Sequence, residues 1–249
     1  MHHEIQFLTL YSMSQPNATA STADFEFAAL SEAKNYRSAI VSEFAPYLTG
    51  RVLEVGAGIG QTSEAILTLP GITELVGVEP DDGFQRGFRK RLPQTRLVAG
   101  TTADLHPDEA YDGAVMVNVL EHIEDDLAEL IRLHGILSPR KGHLCLLIPA
   151  RQEIFSDLDA HFGHFRRYSR SGVREKLESA GFQIKLVSYF NFVGYFAWLM
   201  RFRLMKKMTF EIEQVRLFDR MIFPPCHWLE SRICRPPIGQ SVIAVAQAI

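Results

Sequence analysis

Seven runs of apolar, largely β-branched residues punctuate the chain: Arg51–Val55, Glu74–Glu79, Thr95–Ala99, Tyr111–Val117, His143–Pro149, Phe182–Tyr189 and Ser241–Ala246. Each has the length of a strand and ends in turn-forming residues. Segments suited to helices lie between the first five, among them Gln61–Leu69, Asp82–Arg91 and Asp125–Leu137. Strands alternating with helices imply an α/β domain with a doubly wound parallel sheet and helices on both faces.

Ahead of the first run, Asp24–Leu48 spaces Phe25, Ala29, Ala33, Tyr36, Ile40 and Phe44 at threes and fours, which predicts a helix packed on the sheet. Gly181 follows Ser171–Ala180 where a helix needs a left-handed stop, so a boundary falls there and a strand resumes at Phe182. Between the last two runs the chain inserts Phe190 to Gln240, rich in aromatics, Met, Arg and Lys, with Pro236-Pro237 near its end. The expected organisation is a mobile arm over 1–23 and one domain over 24–249, with an inserted helical lid at about 190–237.

A chain of 249 residues suits one such core with an elaboration. Hydrophobic residues at 47% and charged residues at 22% exclude a disordered or fibrous chain. A net charge of −3 gives no field to hold a polyanion, so a small-molecule partner is expected and nucleic acid is not. Cys145 lies in an apolar run, and Cys226-His227 with Cys234 lacks the paired spacing of zinc knuckles, so no metal is expected. No leader pattern opens the chain, and Leu186–Met200, interrupted by Asn191, is too short to span a membrane; cytoplasmic residence is the expectation.

The sharpest local signal is Val52-Leu53-Glu54-Val55-Gly56-Ala57-Gly58-Ile59-Gly60, a strand entering a glycine turn before a helix. Glycines admit close backbone approach by a ligand, and Glu54 can meet a cationic group. A dinucleotide fingerprint needs glycine at the sixth position counting Gly56 as the first, where Gln61 stands, so a nicotinamide oxidoreductase is the weaker alternative. Glu79, in Gly77-Val78-Glu79-Pro80-Asp81, ends the second strand about twenty residues on, where a carboxylate suits ribose hydroxyls. A third segment, Tyr111–Ile123, opens into a polar loop where open α/β sheets place ligands.

With LEVGAGIG, GVEPD, YDGAVMVNVLEHIEDD and HLCLLIPA in this order, the sequence from Tyr36 to Ile249 resembles the class I S-adenosylmethionine-dependent methyltransferases. The resemblance implies a Rossmann-like seven-stranded sheet of order 3-2-1-4-5-7-6 with strand seven antiparallel, S-adenosylmethionine as cofactor and S-adenosylhomocysteine as product. It places Gly56, Gly58, Glu79 and Asn118 at the cofactor, with Glu54 supporting the turn, and Tyr36, Pro80 and His122 are counted with them. Where the family often carries an acid for adenine the chain has Thr101, so the backbone of Thr102 and Ala103 is the expected adenine contact.

Gly163-His164-Phe165-Arg166-Arg167-Tyr168 and Gly239-Gln240-Ser241 resemble a bacterial subgroup of that class. Methyl transfer from a sulfonium needs positioning more than a covalent nucleophile, and a weakly acidic acceptor needs a base. His161, His164 and Tyr168, with Asp159 nearby, are the catalytic candidates, and His122 is another. His164 reads equally as a structural histidine. Arg166 and Arg167 read either as a solvated pair or as a bidentate site for an acceptor carboxylate or phosphate. Trp198 joins them on the acceptor side, within Phe192, Tyr195, Phe196, Trp198, Leu199 and Met200 followed by Arg201, Arg203, Lys206 and Lys207. That stretch is either an amphipathic helix packed on the domain or, through 190–207, a peripheral membrane contact for an apolar acceptor of lipid or saccharide type. A protein that binds S-adenosylmethionine without turnover is a further alternative.

Overall fold

A computed structural model describes residues 31–209, 211–233 and 235–249. The arm at 1–23, Phe25 and Ala29 of the first helix, and Cys234 lie outside them. The sheet has seven strands: β1 Gly50–Val55, β2 Ile72–Glu79, β3 Arg96–Ala99, β4 Gly113–Val117, β5 His143–Pro149, β6 Phe182–Phe190 and β7 Ser241–Ala248. Their order is β3-β2-β1-β4-β5-β7-β6. The first five pair in parallel, and β7 runs antiparallel to both β5 and β6. β1, β4, β5 and β7 are largely buried because helices cover both of their faces, as a parallel sheet requires, whereas β6, at the sheet edge, exposes Gln183 and Lys185.

Helix α1, Lys34–Phe44, presents Ile40, Val41 and Phe44 to one face of the sheet. It has no capping side chain of its own; the amides of Asn35 and Tyr36 instead donate to Asp219, at 3.0 and 2.9 Å. α2 covers only Gln61–Ile66, shorter than the sequence implies, with Pro70 in the turn that follows it. α3, Asp82–Arg91, is capped by Asp81, which accepts from Phe84, and ends in Arg89, Lys90 and Arg91, so both ends complement the helix dipole. α4, Asp126–Leu137, buries Leu130, Leu133 and Leu137 against the other sheet face. After β5 come the short α5, Asp157–His161, and α6, Arg170–Ser179, whose exit passes through Gly181 at φ 95°.

The insertion folds into helices: α7 Phe192–Trp198, α8 Ile212–Leu217 and α9 Phe223–Arg232, with π-helical turns after α7 and α8. Tyr195, Trp198 and Phe202 pack on Ile154 and Leu158 of the segment following β5. Glu230 of α9 accepts from the amides of Asn191 and Phe192, holding the two ends of the insertion together. No helix among the described residues is long and apolar enough to cross a membrane.

Glu54 of β1 is buried and accepts a hydrogen bond from the Ser63 hydroxyl of α2, tying strand to helix behind the glycine turn. Burial pushes its carboxyl up to about 8, the Ser63 bond opposing. The folded protein therefore holds this proton up to about pH 8, whereas the unfolded chain releases it near the ordinary carboxyl range. The stability it contributes is complete at low pH and is lost as pH rises toward that value. Glu54→Gln should keep the Ser63 contact and remove the slope, so its Tm should rise relative to the parent from about pH 5 to 8. A Tm difference constant across that range in differential scanning calorimetry would show that Glu54 is ionised in the fold.

Candidate active site

Strand order reverses between β1 and β4, and the loops at their carboxyl ends form the crevice where such sheets bind ligands. Gly56 and Gly58 adopt φ of 69° and 53°, and a Cβ on Gly56 would strike Val119 in the loop after β4. The Glu79 carboxylate spans the mouth of this turn, taking the Gly58 amide at 2.8 Å on one oxygen and the Asp81 amide at 2.9 Å on the other. Each oxygen keeps capacity for a second donor, which is the chemistry a ribose diol needs. Burial raises the Glu79 pKa, with the Asp81 and Gly58 amides pulling the other way. Asn118, exposed at the end of β4, has φ 52°, and Pro80 is exposed between Glu79 and Asp81. Tyr36 lies against Phe190 and Phe223, its hydroxyl 3.4 Å from Ser241 Oγ where β7 meets the end of β5.

The loop from Gln152 to Ser169 is organised by two buried carboxylates. Asp159 accepts from Arg167 Nε at 2.8 Å, lies 3.1 Å from His164 Nδ1, and takes the Ser156 amide at 2.8 Å. Burial pushes the Asp159 carboxyl upward, but the His164 hydrogen bond and the Arg167 charge hold it below the usual range. Asp126 accepts from the Tyr168 hydroxyl at 2.9 Å and Lys176 at 2.7 Å, and pairs with Arg166 at 2.9 Å. The Phe165 amide donates to the Glu121 carbonyl at 2.9 Å, which brings this loop against the one after β4.

Glu121, His122 and His164 consequently converge, each offering one ligand atom, all within 4.8 Å of one another. The two imidazoles meet edge to face at 4.6 Å. Burial, and next the His164 ring, push the His122 pKa down to about 4, against a hydrogen bond with the Phe162 backbone, so His122 is neutral near pH 7.

Several sequence expectations change. Arg167 is buried, paired with Asp159 and stacked over Trp198 at 4.5 Å, so neither Arg167 nor Trp198 waits for an acceptor. Arg166 also bonds the carbonyls of Ile123 and Glu124, and its charge is spent on Asp126. Tyr168 is 4% exposed and burial raises its pKa far above the ordinary tyrosine range; it is a core hydroxyl, not a catalytic one. His161 is exposed and packs on Phe162, outside the trio. Glu54 is buried and accepts from Ser63, which supports the turn. The Thr102 hydroxyl donates to Glu129 at 2.8 Å, and the Ala103 amide donates to Thr101 Oγ1 at 3.3 Å at an exposed position. Asp125 caps α4 by accepting from the Ala128 amide, while Glu121 and Asp126 are buried. A cavity of about 370 Å³ lined by Glu43, Tyr47, Leu186, His227 and Arg235 shares no residue with the glycine turn.

This sheet order, with the glycine turn after β1 and an acid ending β2, is the fold of the class I S-adenosylmethionine-dependent methyltransferases. Residues 27–187 match the family described as Methyltransferase domain, and the chain belongs to that family. Over 94 residues it is 30% identical to trans-aconitate 2-methyltransferase of Rhizobium rhizogenes, covering 35% of this chain and only 37% of that relative. An S-adenosylmethionine-dependent methyltransferase of Thermotoga maritima superposes with a TM-score of 0.60 at 19% identity, over 92% of this chain and 96% of that one. One from Mesorhizobium loti gives 0.56 at 15%, over 83% and 95%. The [4+2]-cyclase SpnF gives 0.56 at 17%, over 86% and 80%. At such identities the structural likeness concerns the fold.

Because Arg167 neutralises a buried carboxylate, Arg167→Met should destabilise the protein by about 3–5 kcal/mol in urea unfolding. A loss below about 1 kcal/mol would return Arg167 to the acceptor side.

Proposed function

We propose that this protein transfers the methyl group of S-adenosylmethionine to an acceptor of small-molecule or lipid/saccharide type. The observation that carries the reading is Glu79 bonded to the Gly58 amide, a carboxylate held at a glycine turn beside the point where strand order reverses. The residues fit the cofactor: Glu79 retains acceptor capacity for a ribose diol, the positive φ of Gly56 and Gly58 keeps side chains out of the turn, and Asn118 closes the crevice from β4. When bound, S-adenosylmethionine supplies a sulfonium-activated methyl group for in-line displacement. The chain's own part is to hold the acceptor on that axis and exclude water. His122 and His164 are the polar groups we assign to the acceptor side, oriented by Phe162 and Asp159. A nicotinamide reading is disfavoured by Gln61 in place of the third fingerprint glycine.

The insertion favours an apolar acceptor. Phe192, Phe196, Met200, Leu204, Met205 and Met208 are exposed on it, with Arg203, Lys206 and Lys207 among them. Such a surface with a basic rim suits shallow contact with an anionic bilayer and a lid over a lipid-linked acceptor.

Calorimetry should detect S-adenosylhomocysteine binding to the parent protein and none to Gly58→Val, where a β-branched residue cannot keep φ 53°. No binding by the parent would sink the cofactor assignment. Extracts of the source cell incubated with protein and cofactor should yield a product heavier by one methyl-for-hydrogen exchange; cofactor binding without such a product would favour a non-catalytic role. Cosedimentation with vesicles containing phosphatidylserine should fall on raising salt, and a protein that never pellets would exclude the membrane contact.

A further inference from the structure

The loop after β4 and the loop after β5 meet at Glu121, His122 and His164, and these side chains make a donor set that methyl transfer alone does not call for. Two imidazoles and one carboxylate are the ligands of open zinc centres, which keep a position for water or substrate. Each histidine is arranged for that role. His164 Nδ1 lies 3.1 Å from Asp159 Oδ1, leaving Nε2 facing Glu121 at 4.0 Å. His122 hydrogen-bonds the Phe162 backbone. Fixing one ring nitrogen by an oxygen is how metal-binding histidines are oriented and their tautomers set.

The trio sits where a cation could act. Val119, which packs on Gly56 of the cofactor turn, precedes Glu121 by two residues, so the cluster borders the cofactor crevice. Its backbone is firmly held: the Phe165 amide bonds the Glu121 carbonyl, and the His164 amide bonds the Asp159 carbonyl at 3.0 Å. Donors on one tetrahedral zinc lie about 3.3 Å apart, so a trio now within 4.8 Å closes on a cation by side-chain rotation alone.

We propose that Glu121, His122 and His164 bind one divalent cation of the zinc type, whose open positions hold an oxygen of the acceptor; this last role rests on the methyl-transfer reading above. The proposal departs from the sequence expectation of no metal, which weighed only Cys226, His227 and Cys234 as ligands.

The test begins with full-length, chelator-stripped protein carrying His2→Ala and His3→Ala, which removes the adjacent N-terminal imidazoles. Equilibrium dialysis against Zn2+ should give one saturable ion per chain, and Co2+ should give the visible d–d bands of a low-coordinate nitrogen and oxygen site. His164→Ala and Glu121→Gln should each weaken zinc at least tenfold, and Asp159→Asn about 10- to 100-fold through its effect on His164. His161→Ala, exposed and outside the trio, should bind like the parent. Circular dichroism identifies any variant that fails to fold, in which case the Co2+ spectrum of the parent decides. No saturable site in the parent, or undiminished zinc binding by folded His164→Ala, overturns the proposal. S-adenosylhomocysteine affinity measured on the same samples separates the two readings: binding of that ligand without zinc refutes the cation alone, and zinc without that ligand refutes the cofactor site alone.

Discussion

The Asp159 carboxylate is buried, and almost everything in the loop after β5 hangs from it. It caps α5 through Ser156, neutralises Arg167 and orients the His164 ring. Arg167 then extends the same connection to Ala150 at the end of β5 and to the face of Trp198 in the insertion. A buried ion pair of this kind gains little over a hydrophobic pair of the same volume, but removing one partner strands a charge in a medium that solvates it poorly. Its contribution is geometric definition: a loop that would otherwise sample many conformations is fixed where β4, β5 and the insertion meet.

Asp126 does the same for Arg166, Tyr168 and Lys176. Arg167 and Tyr168 of Gly163–Tyr168 are thus buried, Phe165 is exposed, and His164 meets Glu121 and His122. The insertion is bound in the same manner. Asp219 caps α1 from outside, Glu230 caps α7, and the three aromatic residues Tyr195, Trp198 and Phe202 lie over the loop that Asp159 organises. Movement of the insertion and ordering of the histidine loop are therefore mechanically linked through the Arg167–Trp198 stack.

The strands were legible in the sequence because doubly covered strands are continuous apolar runs, and β5 has the very bounds the pattern implies. The cofactor turn was legible because positive φ at Gly56 and Gly58 leaves a glycine signature. Partner choice among charged side chains was not. Arg166 and Arg167 are adjacent in sequence, but Asp126 and Asp159 lie 40 and eight residues before them respectively, and nothing in local spacing says that these charges are consumed internally. His122 and His164 come from different loops for the same reason, joined only once Phe165 pairs with Glu121. The insertion escaped in detail because its π-helical turns carry no simple hydrophobic period.

The placement of β7 has a consequence for how the chain acquires its shape. β6 touches the sheet only through β7, which lies between it and β5 although it comes last in sequence. During vectorial synthesis β1 to β5 can pair as they emerge, while β6 and the apolar edge of β5 stay open through translation of the whole insertion. The closing antiparallel pairs join His143 to Gln247 and Phe182 to Ala248, contacts of large sequence separation that form slowly. The interval before the final strand arrives is when the nascent chain presents unpaired sheet edges to other chains, and it is then that chaperones have most to guard.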